Sequence, residues 1–161
     1  MDMLTPKDAA EVLRGHGFKA TPQRLAVYRM LSHTTAHPNA ETIYKELQPL
    51  YPTMSLATVY KTVAILCEVG LAQELNVGED AFRYDANTSA HPHIRCVDCG
   101  RVDDVFSLDT HGIEEQAAAE TGYALTGHQV YFFGVCPACQ AERARKGTGK
   151  DAPVQRLEKV V

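Results

Sequence analysis

The 161-residue chain is 45% hydrophobic and 22% charged, with a net charge of −4, the balance of an ordinary soluble protein of one domain or two small ones. No apolar run reaches the roughly 18 residues that span a bilayer, and the stretch from Met1 to Pro6 lacks the basic and apolar regions of a signal peptide, so a cytoplasmic location is expected. Residues 1–84 hold eight Lys/Arg against nine Asp/Glu, so bulk charge is excluded as a route to nucleic acid and any DNA-binding face must come from local clustering.

The first half reads as helices. Thr5-Pro6 opens one that runs to about Arg14 and stops at Gly15. Thr21-Pro22 repeats the signal, and Leu25, Tyr28 and Leu31 follow at helical spacing. Pro38 and Asn39 open a third helix carrying Ile43, Tyr44 and Leu47, which Tyr51-Pro52 ends. Ser55 caps a fourth, with Met54 and Val59 placed for a hydrophobic staple and Gly70 as terminator. Two strand-like stretches, 71–77 and 81–85, flank a turn at Gly78-Glu-Asp80. Helices followed by a small hairpin describe a winged helix; a plain helical domain with a β-ribbon shares the pattern.

Residues 86–94 read as a linker. Beyond it, 102–106 and 130–135 are strand candidates around a helix at 113–120. A β-α-β unit of this size is too short to bury a large core alone, so dimerisation is expected. After Ala141 the sequence turns polar, and the last fifteen or so residues read as a tail.

Two C-x-x-C pairs, Cys96/Cys99 and Cys136/Cys139, form the most specific motif. Each pair can make a tight knuckle, and two knuckles give the tetrahedral S₄ set that suits a closed, structural Zn²⁺ site. A redox reading would need one motif at the start of a thioredoxin-like βαβ unit, not two. In a cytoplasmic protein, paired cysteines are metal ligands more often than disulfides. Cys67 falls on the apolar side of the fourth helix and reads as a small buried hydrophobe.

His91 and His93 lie just before the first pair. On an extended chain their i, i+2 spacing puts both imidazoles on one side, which points to a second metal site. Single histidines in loops are most often solvated, and His16, His33 and His111 are read so. Spacing alone assigns no role to His37, Asp85 or Asp104.

Taken together, Thr21-Pro-Gln-Arg24, His37-Pro38, the Ser55–Lys61 segment, Arg83-Tyr-Asp85, His91-x-His93 and the two cysteine pairs resemble the ferric uptake regulator superfamily of metal-dependent repressors. The resemblance covers residues 5–141 and is nearest the peroxide-sensing branch. It implies an α+β architecture: a winged helix-turn-helix DNA-binding domain at 1–85, a hinge at 86–92, a small α/β dimerisation domain with structural zinc at 93–145, and a polar tail at 146–161. It also implies a regulatory Fe²⁺ or Mn²⁺ site made by His37, Asp85, His91, His93 and Asp104, with His37 and His91 as the oxidation-sensitive ligands. Asp104, where iron-uptake regulators usually carry Glu, and Pro92, where they usually carry Asp, favour the peroxide-sensing branch. His128 matches a ligand of an additional site that looks incomplete without that Asp. Arg24, Thr58, Tyr60 and Lys61 are the candidates for contact with a palindromic operator; Lys61 stands where many relatives have Arg and keeps the charge without the fork. The implied function is a homodimeric repressor, not an enzyme, that senses hydrogen peroxide by oxidation of its own ligands. The rivals are an iron-responsive repressor that senses metal occupancy, a zinc-uptake regulator, a non-haem iron oxygenase, and a structural zinc module.

Overall fold

The computed structural model describes residues 4–78, 81–108, 110 and 112–147. The expected turn at Glu79-Asp80, His111 and the tail from residue 148 lie outside them. The chain folds as two compact units, Met1–Ala90 and His91–Val161.

In the first unit, helices α1 (Pro6–Gly15), α2 (Pro22–Ser32), α3 (Ala40–Leu47) and α4 (Leu56–Glu68) precede strands β1 (Gln73–Leu75) and β2 (Arg83–Asp85). Every helix starts on a side-chain cap. Thr5 accepts from the Asp8 N–H and completes a capping box with the Asp8 carboxylate. Thr21, Asn39 and Ser55 accept from the N–H groups of Arg24, Thr42 and Thr58, each cap contributing about 1 kcal/mol. The helices pack around Leu13, Val27, Tyr28, Leu31, Ile43 and Leu66. The Tyr28 hydroxyl, at the edge of that core, donates to the Leu4 carbonyl at 3.0 Å.

Several boundaries differ from the sequence reading, two of them with a clear local cause. Helix α3 ends at Leu47, well before Tyr51, because the N–H groups of Leu50 and Tyr51 both close onto the Leu47 carbonyl. Strand β1 starts at Gln73 and not at Leu71. Gly70 takes the left-handed conformation (φ 74°), and Leu71 and Ala72 then donate back to the Leu66 carbonyl. The helix stop thus consumes two residues that look strand-like. β1 and β2 pair antiparallel, Gln73 opposite Asp85 and Leu75 opposite Arg83, giving the wing.

The second unit contains β3 (His93–Cys96), β4 (Val102–Asp104), α5 (Ile113–Thr121), β5 (Tyr131–Gly134) and α6 (Pro137–Arg145). Its sheet has the order β4-β3-β5, with β3 antiparallel to β4 and parallel to β5. His93 and Ile94, expected in the linker, are strand residues because β3 is paired on both edges. Helix α6 falls where the sequence shows no helical periodicity. Cys136 stands at its N-cap and Pro137 at its first position, a start signal hidden inside a cysteine motif, and its polar composition beyond Ala141 reflects a helix with no buried face. Among the described residues no helix is long and apolar enough to cross a membrane.

Candidate metal centres

The cysteine pairs are brought together by sheet register. Cys96 ends β3 and faces Gly134 across the parallel pair, so Cys136, two residues on, reaches the first knuckle. That knuckle turns at Gly100, with φ 72°, whose N–H donates to the Cys96 carbonyl at 2.9 Å. Sulfurs of Cys96, Cys99, Cys136 and Cys139 all lie within 4.8 Å of one another, and those of Cys99 and Cys136 are 3.8 Å apart. A tetrahedron with Zn–S bonds of about 2.3 Å has edges of about 3.8 Å, so the set fits Zn²⁺.

Burial raises the Cys96 thiol, but N–H donors from Cys136, Cys99 and Asp98 outweigh it and bring the group down to about 6. The first of these, the Cys136 N–H, stands 3.2 Å from the Cys96 sulfur. Cys139 is pushed up, chiefly by its hydrogen bond with Cys136. Four mutually repelling thiolates need a dication to coexist. Cys67 stands apart: burial and then Glu74 push it up to about 11, which leaves it an inert thiol.

In the second unit, His93 lies directly opposite Asp104 on the antiparallel pair. His91 Nε2 is 3.2 Å from Asp104 Oδ1, and His93 Nε2 is 3.5 Å from the same oxygen. The two imidazole centroids are 4.4 Å apart, and the Phe106 ring stacks on His91 at 5.2 Å. Two imidazoles and a carboxylate converging on one point are a nitrogen/oxygen donor set of the kind that suits Fe²⁺ and Mn²⁺.

His37 and Asp85 belong to the first unit, where His37 Nε2 lies 3.8 Å from Asp85 Oδ2. His37 has φ 47°, left-handed backbone that costs about 1–3 kcal/mol for a non-glycine residue. The wing holds it there. Arg83 donates to the His37 carbonyl, and the Tyr84 N–H donates to the Pro38 carbonyl at 3.1 Å. Asp85 accepts from the Asn87 N–H at 2.8 Å and from Gln73 Nε2 at 3.3 Å, contacts that fix the orientation of its carboxylate.

Tyr60 and Lys61 are exposed on α4. Thr58, in the first turn, shares a 2.9 Å hydrogen bond with Ser55. Arg24 is half-buried and turned back on its own unit: Nη1 donates to the Lys19 carbonyl at 2.7 Å and the guanidinium lies over Phe18. His128 Nδ1 is 2.8 Å from a Glu114 carboxylate oxygen. Sequence reasoning missed Phe106, Gln73 and Glu41, whose carboxylate receives the Tyr60 hydroxyl at 2.6 Å. None carries a motif; each is a partner found only once the fold is known.

The model of the ferric uptake regulator family matches residues 15–133. The transcriptional regulator PerR of Clostridium acetobutylicum is 50% identical over 133 residues, covering 83% of this chain and 96% of that protein. The peroxide operon regulator of Bacillus subtilis is 39% identical over 133 residues, covering 83% and 92%. The crystal structure of the Campylobacter jejuni peroxide stress regulator is similar at a TM-score of 0.64 and 36% identity, covering 80% of this chain and 97% of that one.

Proposed function

The chain belongs to the ferric uptake regulator family, and on that premise we propose that it is a metal-dependent transcriptional repressor that senses hydrogen peroxide. The observation that carries this reading is the convergence of His91 and His93 on one oxygen of Asp104, in the same unit as a four-thiol zinc set. The identity to regulators named for peroxide supports it over an iron-occupancy sensor.

Zn²⁺ at Cys96, Cys99, Cys136 and Cys139 has a structural role. His37, Asp85, His91, His93 and Asp104 are the ligands of a regulatory Fe²⁺ or Mn²⁺. Three neutral imidazoles and two carboxylates carry −2, which a dication cancels. Residues 1–85 supply the DNA-binding part and 93–145 the dimerisation part, with 86–92 as hinge. Ligands drawn from both parts let one ion favour a DNA-binding arrangement, and only by its differential affinity for that arrangement, at about 1.4 kcal/mol per tenfold. The protein works in the cytoplasm as a homodimer, without enzymatic turnover. Each α4 enters the major groove at one half of a palindromic operator, with Tyr60 and Lys61 leading and Thr58 and Arg24 nearer the helix starts.

Held by these five residues, Fe²⁺ would supply the one-electron chemistry that turns hydrogen peroxide on an adjacent ligand, and Mn²⁺ would do so far less readily. In the net change a ring C–H of His37 or His91 becomes C–O and peroxide leaves as water. The modified ring is a poorer donor, the ligand set falls short, and the operator is released. Mass spectrometry of the Fe²⁺-loaded protein after peroxide tests this. Peptides containing His37 or His91 gain one oxygen atom; if neither does while DNA is still released, self-oxidation is the wrong mechanism.

A further inference from the structure

Tyr60 is 44% exposed on α4, yet its hydroxyl is already committed. Oη donates to Glu41 Oε1 at 2.6 Å. Glu41 stands in the first turn of α3, where the helix dipole favours an anion. The bond from Tyr60, and then Glu41's own backbone N–H, hold that carboxyl below its usual range. The same bond raises Tyr60 above the usual phenol value. The proton therefore stays on Tyr60 and points at Glu41.

A phenol has one proton to give. With it spent inside the protein, Tyr60 meets DNA as an acceptor only. Phosphate oxygens are acceptors and cannot bond to it. The donors in the major groove are the exocyclic amino groups of adenine and cytosine. Next to it, Lys61 is exposed and supplies the point charge that a phosphate takes. We propose that Glu41 is a positioning residue for operator specificity, fixing Tyr60 so that it accepts from an adenine or cytosine amino group and does not donate to a phosphate. This rests on the reading of α4 as the DNA-binding helix.

The test is selection from a randomised duplex pool by metal-loaded, full-length wild type, Y60F, E41L and E41Q. Wild type selects an A or C at a position where Y60F no longer discriminates, a change of about tenfold in preference. E41L loses the same preference, because its tyrosine can now rotate and donate. E41Q keeps it, because the amide oxygen still accepts the phenolic proton, and a merely structural role for Glu41 would not give that pattern. Replacing the selected base by its analogue without the amino group weakens wild type and leaves Y60F unchanged. The inference is overturned if Y60F binds all sequences more weakly by the same factor, with the preference for the selected base unchanged. It is also overturned if E41L selects the same sequence as wild type. A wild type that selects nothing with metal bound overturns the DNA-binding reading itself; a wild type that selects while Y60F matches it overturns this inference alone.

Discussion

In the first unit Leu13, Val27, Ile43, Val59 and Leu66 are completely removed from solvent, whereas among the described residues of the second only Pro92, His93, Cys96 and Val102 are buried, and two of these four belong to the candidate metal centres. Neither α5 nor α6 has a buried residue. Phe106, Ile113, Tyr123, Leu125 and Phe132 are exposed, surface that a partner copy would cover. One unit is held by apolar burial and capped helices. The other buries too little to be held that way, so metal coordination and association are expected to hold it, and its folding is expected to depend on ligands that can leave.

Zinc removal tests that contrast most severely. Structural zinc contributes on the order of 10–16 kcal/mol of apparent binding energy, which in such sites is folding energy. Stripping zinc with a strong chelator, or replacing Cys96 and Cys99 by serine, is expected to abolish the structure of residues 91–145 and leave the helical unit folded. Hydrogen exchange read segment by segment checks it. Protected amides in β3 and β5 of zinc-free protein would show that the second unit has an apolar core after all.

The converse experiment targets the helical unit. Leu66 is fully buried between neighbours of the main core, so Leu66→Ala should cost about 2–5 kcal/mol in denaturant-induced unfolding. Zinc content should stay at the wild-type level, because no cysteine of the S₄ set lies in that core. Loss of zinc alongside stability would mean that the two units fold as one.

The same asymmetry governs what could be read before the structure. The four helices of the first unit announced themselves through Thr5, Thr21, Asn39 and Ser55, because caps and apolar periodicity are local signals. The second unit carries fewer such signals. Helix α6 has no apolar stripe to betray it, and β3 hid in a segment of His, Pro and Ser. Cysteine spacing gave all four thiols, because a knuckle is itself a local motif. His91 and His93 were visible as a pair for the same reason. Asp104 was not, since it meets them only through the register that sets it opposite His93. His37 needed a family resemblance: nothing local marks its left-handed backbone or the wing contacts that hold it beside Asp85.

A milder change sharpens the picture of the zinc-held unit. Arg143 on α6 forks onto Asp98 in the first knuckle, Nε to Oδ2 at 2.7 Å with Nη2 on the other oxygen. The fork joins the helix that carries Cys139 to the turn that carries Cys99, and so braces both halves of the S₄ set from outside. Both side chains are partly exposed, and exposed ion pairs contribute little to stability. Arg143→Ala should therefore bind zinc in the same amount and fold normally, but release it to a chromogenic chelator about threefold faster, since the knuckles can part more freely. Arg143→Lys should fall between, keeping the charge without the bidentate fork. Equal release rates for all three proteins would assign the bracing to the sheet register alone, with β3 and β5 holding Cys96 and Cys136 in place and the fork as surface decoration.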